Sequence, residues 1–399
     1  MNILYITISD LSDLNKRGIY PDLIRKFIEK GHYVTIITPT ERKYKKATNL
    51  KKGEGYQILQ LKTGNLFKTN LIEKGITNLL LEWQYKKAIR KYFSGIRFDW
   101  VLYASPPVTF AKVIDFVKKR DHAQSYLMLK DIFPQNAVDI GLLQKTGLKG
   151  IIYRMFKRKE KTFYRASDFI GCMSPANVRY LLQHNPEIAS ERVEVCPNSI
   201  KPVARVVSPK EKICQKYSIP REKVLFIYGG NFGKPQGVDF VVESLKQNIN
   251  KEDRHFILCG KGTDFYKVKE LEGADNITLI NGLPKSEYDE LVCGCDVGLI
   301  FLDHRFTIPN FPSRLLSYME NGMPVLAVTD PNSDVGQIAT KDGFGWWCES
   351  NDALSFTKTV DLICSQKDQI KSMGQRARAY LEENYTVDTE YEIIAKHFK

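Results

Sequence analysis

No stretch of this 399-residue sequence approaches the roughly 20 consecutive apolar residues that a membrane-spanning helix needs. The opening residues, Met1 to Thr7, are apolar but lack a basic leader; they read as a first strand and not as a signal peptide. Repeats of 20–50 residues and low-complexity tracts are absent, which excludes solenoids and fibrous or disordered chains. There is no Walker A ending (Gly-Lys-Ser/Thr), and no helix-turn-helix, zinc-finger or RNA-recognition signature. Eight cysteines are scattered, several of them in strand-like runs (Cys172, Cys196, Cys259), and are expected to be reduced and structural. The pair Cys293-Gly294-Cys295 lacks a second ligand pair, so no metal site is expected.

What is present is an ordinary globular composition, 43% hydrophobic and 26% charged. A chain of 399 residues exceeds what one hydrophobic core usually serves, so two domains are expected. The net charge of +13 is uneven. Residues 1–200 hold 34 Lys and Arg against 18 Asp and Glu, or +16; residues 201–399 hold 25 against 28, or −3. A basic first half suits an anionic partner or surface.

Short β-branched runs alternate with helix-length amphipathic stretches. Strands are expected at 2–8, 33–38, 56–62, 99–103, 124–130, 168–172 and 193–196, then at 223–229, 255–259, 277–281, 296–302 and 324–328. Apolar runs of this length between helices indicate parallel sheets buried on both faces. Two series predict two doubly wound α/β domains, 1–200 and 206–378, with a final helix at 379–399 packing back on the first. The Pro-containing segment 199–211 reads as the linker. Such sheets bind ligands beyond the carboxyl ends of their strands, and substrates favour clefts between domains.

The strongest local signal is Tyr228-Gly229-Gly230-Asn231-Phe232-Gly233-Lys234-Pro235-Gln236-Gly237, between a strand and a helix. Glycines let backbone approach a ligand, a helix start offers free N–H groups, and Lys234 adds positive charge; together these suit a diphosphate. The bland alternative is a tight turn with a solvated lysine. A second segment, Pro312-Ser313-Arg314-Leu315 through Gly322-Met323-Pro324-Val325, reads as a helix with Ser313 as N-cap and Arg314 in the first turn. Arg314 is either an anion ligand or a surface arginine.

These two segments, with Gly260-Lys261-Gly262 after the strand Phe256–Cys259, resemble glycosyltransferase family 4, whose members have the GT-B fold and usually retain the donor's anomeric configuration. Lys130-Asp131-Ile132-Phe133-Pro134, Ser174-Pro175-Ala176-Asn177 and Val195-Cys196-Pro197-Asn198-Ser199 are similar to the subgroup that builds capsule and O-antigen repeat units. The resemblance implies a UDP-sugar donor and a polyprenyl-diphosphate-linked sugar acceptor. It implies no cofactor, no metal and no nucleic acid. It implies an enzyme in the cytoplasm, held peripherally on the inner face of the membrane. Gly230, Asn231, Gly233, Lys234, Gln236, Ser313 and Arg314 would hold the diphosphate. Gly260, Gly262, Asn281, Leu283 and Ser317 would line the nucleoside site. Gly18, His304 and Asn310 would face sugar or acceptor, with Asp303 beside His304. Members of the family mostly carry Arg and Lys where this chain has Asn231 and Gln236. Their two glutamates, eight residues apart, fall on Pro309 and Ser317, and the second normally holds the ribose.

A nucleotide-sugar bond breaks through an oxocarbenium-like state that a carboxylate stabilises. Asp131, after the strand 124–130, is the expected catalytic residue, as acceptor base or charge stabiliser; as readily, it could cap the segment that follows. In 147–161, Leu148, Ile151, Ile152, Met155 and Phe156 recur at helical spacing opposite Lys149, Arg154, Lys157, Arg158 and Lys159, a pattern that suits an anionic lipid surface or an ordinary core-facing helix. Leu66-Phe67-Lys68 and Leu71-Ile72 form a second candidate contact. The rival readings are a nucleic-acid module, a GT-B nucleotide-sugar epimerase, and a catalytically weak homologue that supports a partner transferase.

Overall fold

The computed structural model describes residues 1–67, 69, 71–204 and 210–398, without the side chains of Leu71, Ile72 and Lys74. Lys68 and the side chains of Leu71 and Ile72 in the candidate contact, and positions 205–209 of the expected linker, therefore lie outside what the structure describes. The chain forms two units, Met1–Lys201 with Val387–Lys399, and Pro202–Thr386. The return to the first unit comes at Val387 and not at 379, because the helix Lys367–Asn384 runs unbroken within the second unit.

The first unit contains β1 (Asn2–Ile6), β2 (Tyr33–Glu41), β3 (Asn49–Gly53), β4 (Tyr56–Thr63), β5 (Trp100–Ser105), β6 (Gln124–Leu129), β7 (Phe169–Cys172) and β8 (Val193–Val195). Their order is β3-β4-β2-β1-β5-β6-β7-β8, parallel except for β3. The second contains β9 (Val224–Asn231), β10 (Arg254–Lys261), β11 (Ile277–Ile280), β12 (Val297–Phe301), β13 (Val325–Thr329) and β14 (Gly345–Glu349), all parallel, in the order β11-β10-β9-β12-β13-β14. Each is a Rossmann-like sheet.

Burial on both faces explains the unbroken apolar runs. In β1, Leu4 and Ile6 pack with Leu81, Tyr85 and Val113, whereas Ile3 and Tyr5 pack with Leu23 and Phe27 on the other face. Each fully buried side chain of this size contributes about 1.5–3 kcal/mol. In the second unit, Phe226, Phe256 and Leu299 join Val241, Phe356 and Val360 from covering helices.

All twelve expected strands form, and two more appear. β3 is a polar, largely exposed edge strand (Asn-Leu-Lys-Lys-Gly) recruited by antiparallel pairing with β4, and so has no apolar signature of its own. β14, with Trp346 and Trp347, extends the second sheet beside β13.

Candidate active site

Strand order in the second sheet reverses between β9 and β12, and a ligand crevice belongs at the carboxyl ends of that pair. β9 continues two residues past the expected strand, to Asn231, so Gly230 and Asn231 are strand residues and not loop residues as the glycine pattern suggested. Backbone pairing with β10 carries through Gly230–Gly260 and Asn231–Lys261. Gly260 has no room for a side chain: a Cβ there would lie 1.8 Å from the Gly230 carbonyl oxygen. The turn then closes at Gly237, which adopts φ 59° and where a Cβ would lie 3.3 Å from Asp303 Cα. Asp303 N donates to the Pro235 carbonyl at 2.9 Å, fastening the turn to the end of β12.

Two adjoining hollows, each of about 390 Å³, open here. The first is walled by Gly230, Asn231, Gln236, Ser313, Arg314 and Ser317, with the Leu299–Leu302 strand end as floor. The second is walled by Gly230, Gly260, Gly282, Leu283, Tyr288 and Arg314, and again by Ser317. Arg314 and Ser317 thus border both.

Arg314 is held by the helix Arg314–Glu320. The N-cap is at Ser313 as expected, but its φ −65° and ψ −12° are helical and its side chain makes no cap bond, so it is not a capping serine. Fixation comes instead from Tyr318, fully buried in the same helix. Its hydroxyl lies 3.1 Å from the Ile227 carbonyl, 3.3 Å from the Leu299 carbonyl and 3.3 Å from Gly229 N, which donates to it. That one hydroxyl ties the helix to both strands of the crevice. The Arg314 guanidinium stands 5.0 Å above the Tyr288 ring, a cation–π contact that orients it. Tyr288 and Tyr318 carry no motif signal; an aromatic at helical spacing from Arg314 was the one available clue to Tyr318.

The side-chain amide of Asn231 bonds to that of Gln236, which lies five positions on in the same turn. Lys234 is exposed and, with Gly233, Gly262, Asn281, His304 and Asn310, is outside the walls of both hollows among the described residues. Asn310 Nδ2 turns back to the Ile308 carbonyl at 3.3 Å. His304 Nδ1 is 3.8 Å from Asp303, beyond hydrogen-bond reach. Asp303 accepts from Arg305 N, Nε and Nη2 at 2.9, 2.8 and 2.7 Å. Burial pushes its carboxyl up, but these bonds outweigh burial and hold it below the usual range. No cluster of His, Cys, Asp and Glu that could hold a metal occurs among the described residues.

In the first unit, Asp131 follows β6. Ser105 Oγ, at the end of β5, donates to the Asp131 carbonyl at 3.0 Å and accepts from Lys130 N at 3.1 Å, pinning the turn. Its neighbour Lys130 turns inward to Glu390 at 3.4 Å, in a pair 7% and 1% exposed, with Ser199 bonding the other Glu390 oxygen. Asp131 is exposed, and no hydrogen bond to its carboxyl oxygens occurs among the described residues. It does not cap the helix Gln135–Asp139, whose N-cap is Pro134. The protein around Asp131 displaces much of the water beyond its open side, and that desolvation pushes the carboxyl up to about 6. Gly18 begins the helix Ile19–Glu29, its N–H donating to Asp22 at 3.1 Å.

Comparison with known proteins gives these features a context. Residues 209–380 match the family model described as glycosyl transferases group 1. The chain is 24% identical over 325 residues to the probable glycosyltransferase WbjE of Pseudomonas aeruginosa, covering 80% of this chain and 78% of that one. It is 19% identical over 302 residues, 73% and 69% of the two chains, to the putative colanic acid biosynthesis glycosyl transferase WcaI of Escherichia coli K12. The fold matches that of Anabaena HepE in complex with UDP-glucose with a TM-score of 0.70, at 12% identity, over 99% of this chain and 98% of that one. The second unit thus carries the match to glycosyl transferases group 1, and the whole chain shares its fold with solved glycosyltransferases such as WaaG, with a TM-score of 0.64.

Proposed function

We propose that the chain moves a sugar from a UDP-sugar onto a polyprenyl-diphosphate-linked sugar during synthesis of a bacterial surface polysaccharide, at the inner face of the cell membrane. The position of Arg314 carries the donor half of this reading. A guanidinium at the shared border of two hollows can neutralise a diphosphate whose nucleoside occupies one and whose sugar occupies the other. The names of the relatives support it: one is assigned to colanic acid biosynthesis, and a similar fold holds UDP-glucose.

In this reading the nucleoside lies against Gly260, Leu283 and Tyr288. Arg314 and the backbone N–H groups around Gly230 take the charge of the leaving diphosphate, and Lys234, exposed outside the hollows, would have to swing in from the turn to join them. No metal is required, because fixed cations do that work. Asp131 stabilises the oxocarbenium-like state or accepts the acceptor's proton, and the donor's configuration is retained. UDP is expected to raise the melting temperature in the presence of a chelator. Strict dependence on magnesium or manganese would overturn the metal-independent clamp.

The basic helix Gly147–Ala166 supports the membrane half. Leu148, Ile151 and Ile152 are 84%, 58% and 45% exposed, beside exposed Lys149, Arg154 and Arg158. No helix among the described residues is long and apolar enough to cross a membrane, so contact would be at the surface. Lys157 is not part of that contact, because it pairs with Glu160, a side chain 1% exposed. Reversing Lys149, Arg154 and Arg158 to glutamate is expected to abolish salt-sensitive binding to anionic vesicles.

One observation favours a second reading, a catalytically weak homologue that supports another transferase. Asn231 and Gln236 satisfy one another where the family has cations, and Ser317 stands where it has the ribose-binding glutamate. Turnover with a panel of UDP-sugars and lipid-linked acceptors separates the two.

A further inference from the structure

The helix Leu71–Tyr92 is apolar on two faces, and only one of them is covered. Leu81, Tyr85, Ala88 and Ile89 pack into the core. Ile76, Leu79, Leu80 and Trp83, spaced at i, i+3, i+4 and i+7, are 54%, 45%, 48% and 60% exposed. Four adjacent large apolar side chains left in water form a patch that a soluble surface does not need.

The charge around this stripe is of one sign. Lys87, one turn past Trp83, places its ammonium 4.9 Å from the indole ring, and Arg90 and Lys91 follow, both exposed. The acidic residues of the helix are paired: Glu82 with Lys112 at 3.6 Å and Glu73 with Arg42 at 2.7 Å. An apolar stripe that ends in a tryptophan beside unpaired-face cations matches the layered chemistry of an anionic bilayer, with acyl chains below and phosphates above.

The stripe also has the right neighbours. Its helix and the helix Gly147–Ala166 both pack on Val108–Phe110 and on the helix Ala111–Asp121, so the two lie in one layer over one face of the sheet. Each begins at the carboxyl edge of that sheet, one after β4 and the other after β6. Leu148, Ile151 and Ile152 lie in the N-terminal half of their helix, as do Ile76, Leu79 and Leu80 in theirs, with Trp83 just past its middle; these halves start from the edge where Asp131 also lies.

We infer that Ile76, Leu79, Leu80 and Trp83 insert into the interfacial layer of an anionic membrane as a hydrophobic wedge, alongside the electrostatic contact of the helix Gly147–Ala166. This rests on the membrane reading above and adds to it a second site of a different physical kind. Binding then has a salt-sensitive part, from the basic helix, and a salt-resistant part, from the stripe.

The test uses the full chain and vesicles of phosphatidylcholine with phosphatidylglycerol, some brominated near the top of the acyl chains. Bromine is expected to quench part of the tryptophan emission, and Trp83→Phe to remove most of that quenching. Leu79→Ser with Leu80→Ser is expected to lower vesicle partitioning about tenfold or more in high salt, with an unchanged melting temperature because both side chains are exposed. Unchanged partitioning in that variant, or bound protein without Trp83 quenching, would overturn the wedge and leave the basic contact standing. Absence of vesicle binding by the wild type would instead overturn the membrane reading itself. A lipid-free dimer that the double serine variant converts to monomer would assign the stripe to self-association and also overturn the proposal.

Discussion

Asn231 Nδ2 donates to Gln236 Oε1 across 3.1 Å, so the two positions where family members mostly carry Arg and Lys are occupied here by two neutral amides that satisfy each other. Neither amide brings charge to the hollow they border, and charge-assisted bonds are roughly twice as strong as neutral ones. Asn231→Arg with Gln236→Lys is therefore expected to tighten UDP binding. Each new charge-assisted contact is worth about 1.5–3 kcal/mol if it forms, so a gain of about tenfold or more is expected by calorimetry. Equal affinity in the double variant would mean that this turn does not reach the diphosphate.

Arg314 is expected to dominate what clamp there is. It is half-buried and stacked on Tyr288 at the edge of the hollows, outside the apolar core. Arg314→Ala should keep the wild-type melting temperature in the absence of ligand, and lose affinity for UDP and turnover together by roughly 1.5–3 kcal/mol. Wild-type UDP affinity in that protein would remove Arg314 from the site.

Tyr318 tests whether placement of the arginine is built into the core. Its hydroxyl is the common point of bonds to Ile227, Leu299 and Gly229. Tyr318→Phe leaves those backbone groups without it in a buried setting, a loss of about 1–3 kcal/mol. Denaturant unfolding should register that cost, and UDP affinity should fall as the helix Arg314–Glu320 loosens. A stability loss with unchanged UDP affinity would make Tyr318 purely a core residue.

The parallel strands were legible because both faces of each sheet are buried. Runs such as Val224–Ile227 and Leu299–Phe301 then have no polar positions to blur them. β3 was not legible, since its pairing with β4 satisfies an edge whose side chains face solvent. At the site, the glycines and Arg314 were visible because geometry restricts which residues can stand there. The Gly260 Cβ position, 1.8 Å from a carbonyl oxygen, is the clearest case. Tyr288 and Tyr318 were missed because their roles depend on which strand ends their rings and hydroxyls meet, and one-dimensional spacing does not encode that. The same holds for Lys157: its charge suggested an exposed face, and only the fold reveals the buried Glu160 beside it.

Asp131 yields the last prediction, in which pH and rate must agree. Its carboxyl is pushed up to about 6 by desolvation, against 3.8 for an ordinary aspartate. Between those values the folded state binds more protons at this position than the unfolded state does, so its contribution to stability falls as pH rises from about 4 to about 6. Asp131→Asn cannot ionise and should flatten that part of the stability profile, ending slightly more stable than wild type near pH 7. If Asp131 acts as base or charge stabiliser, catalysis needs the ionised form, which is the opposite preference. Turnover by the wild type should therefore rise through an acid limb near pH 6, while stability declines over the same interval. Asp131→Asn should keep donor affinity and lose about a hundredfold or more in rate, the usual scale of acid–base help. Stability and activity would then oppose each other at one carboxylate, as expected where a fold tolerates an unfavourable charge for its chemistry. Near-wild-type turnover in Asp131→Asn with the true acceptor would end the catalytic assignment. An acid limb that persists unchanged in a partly active variant would assign it to a different group.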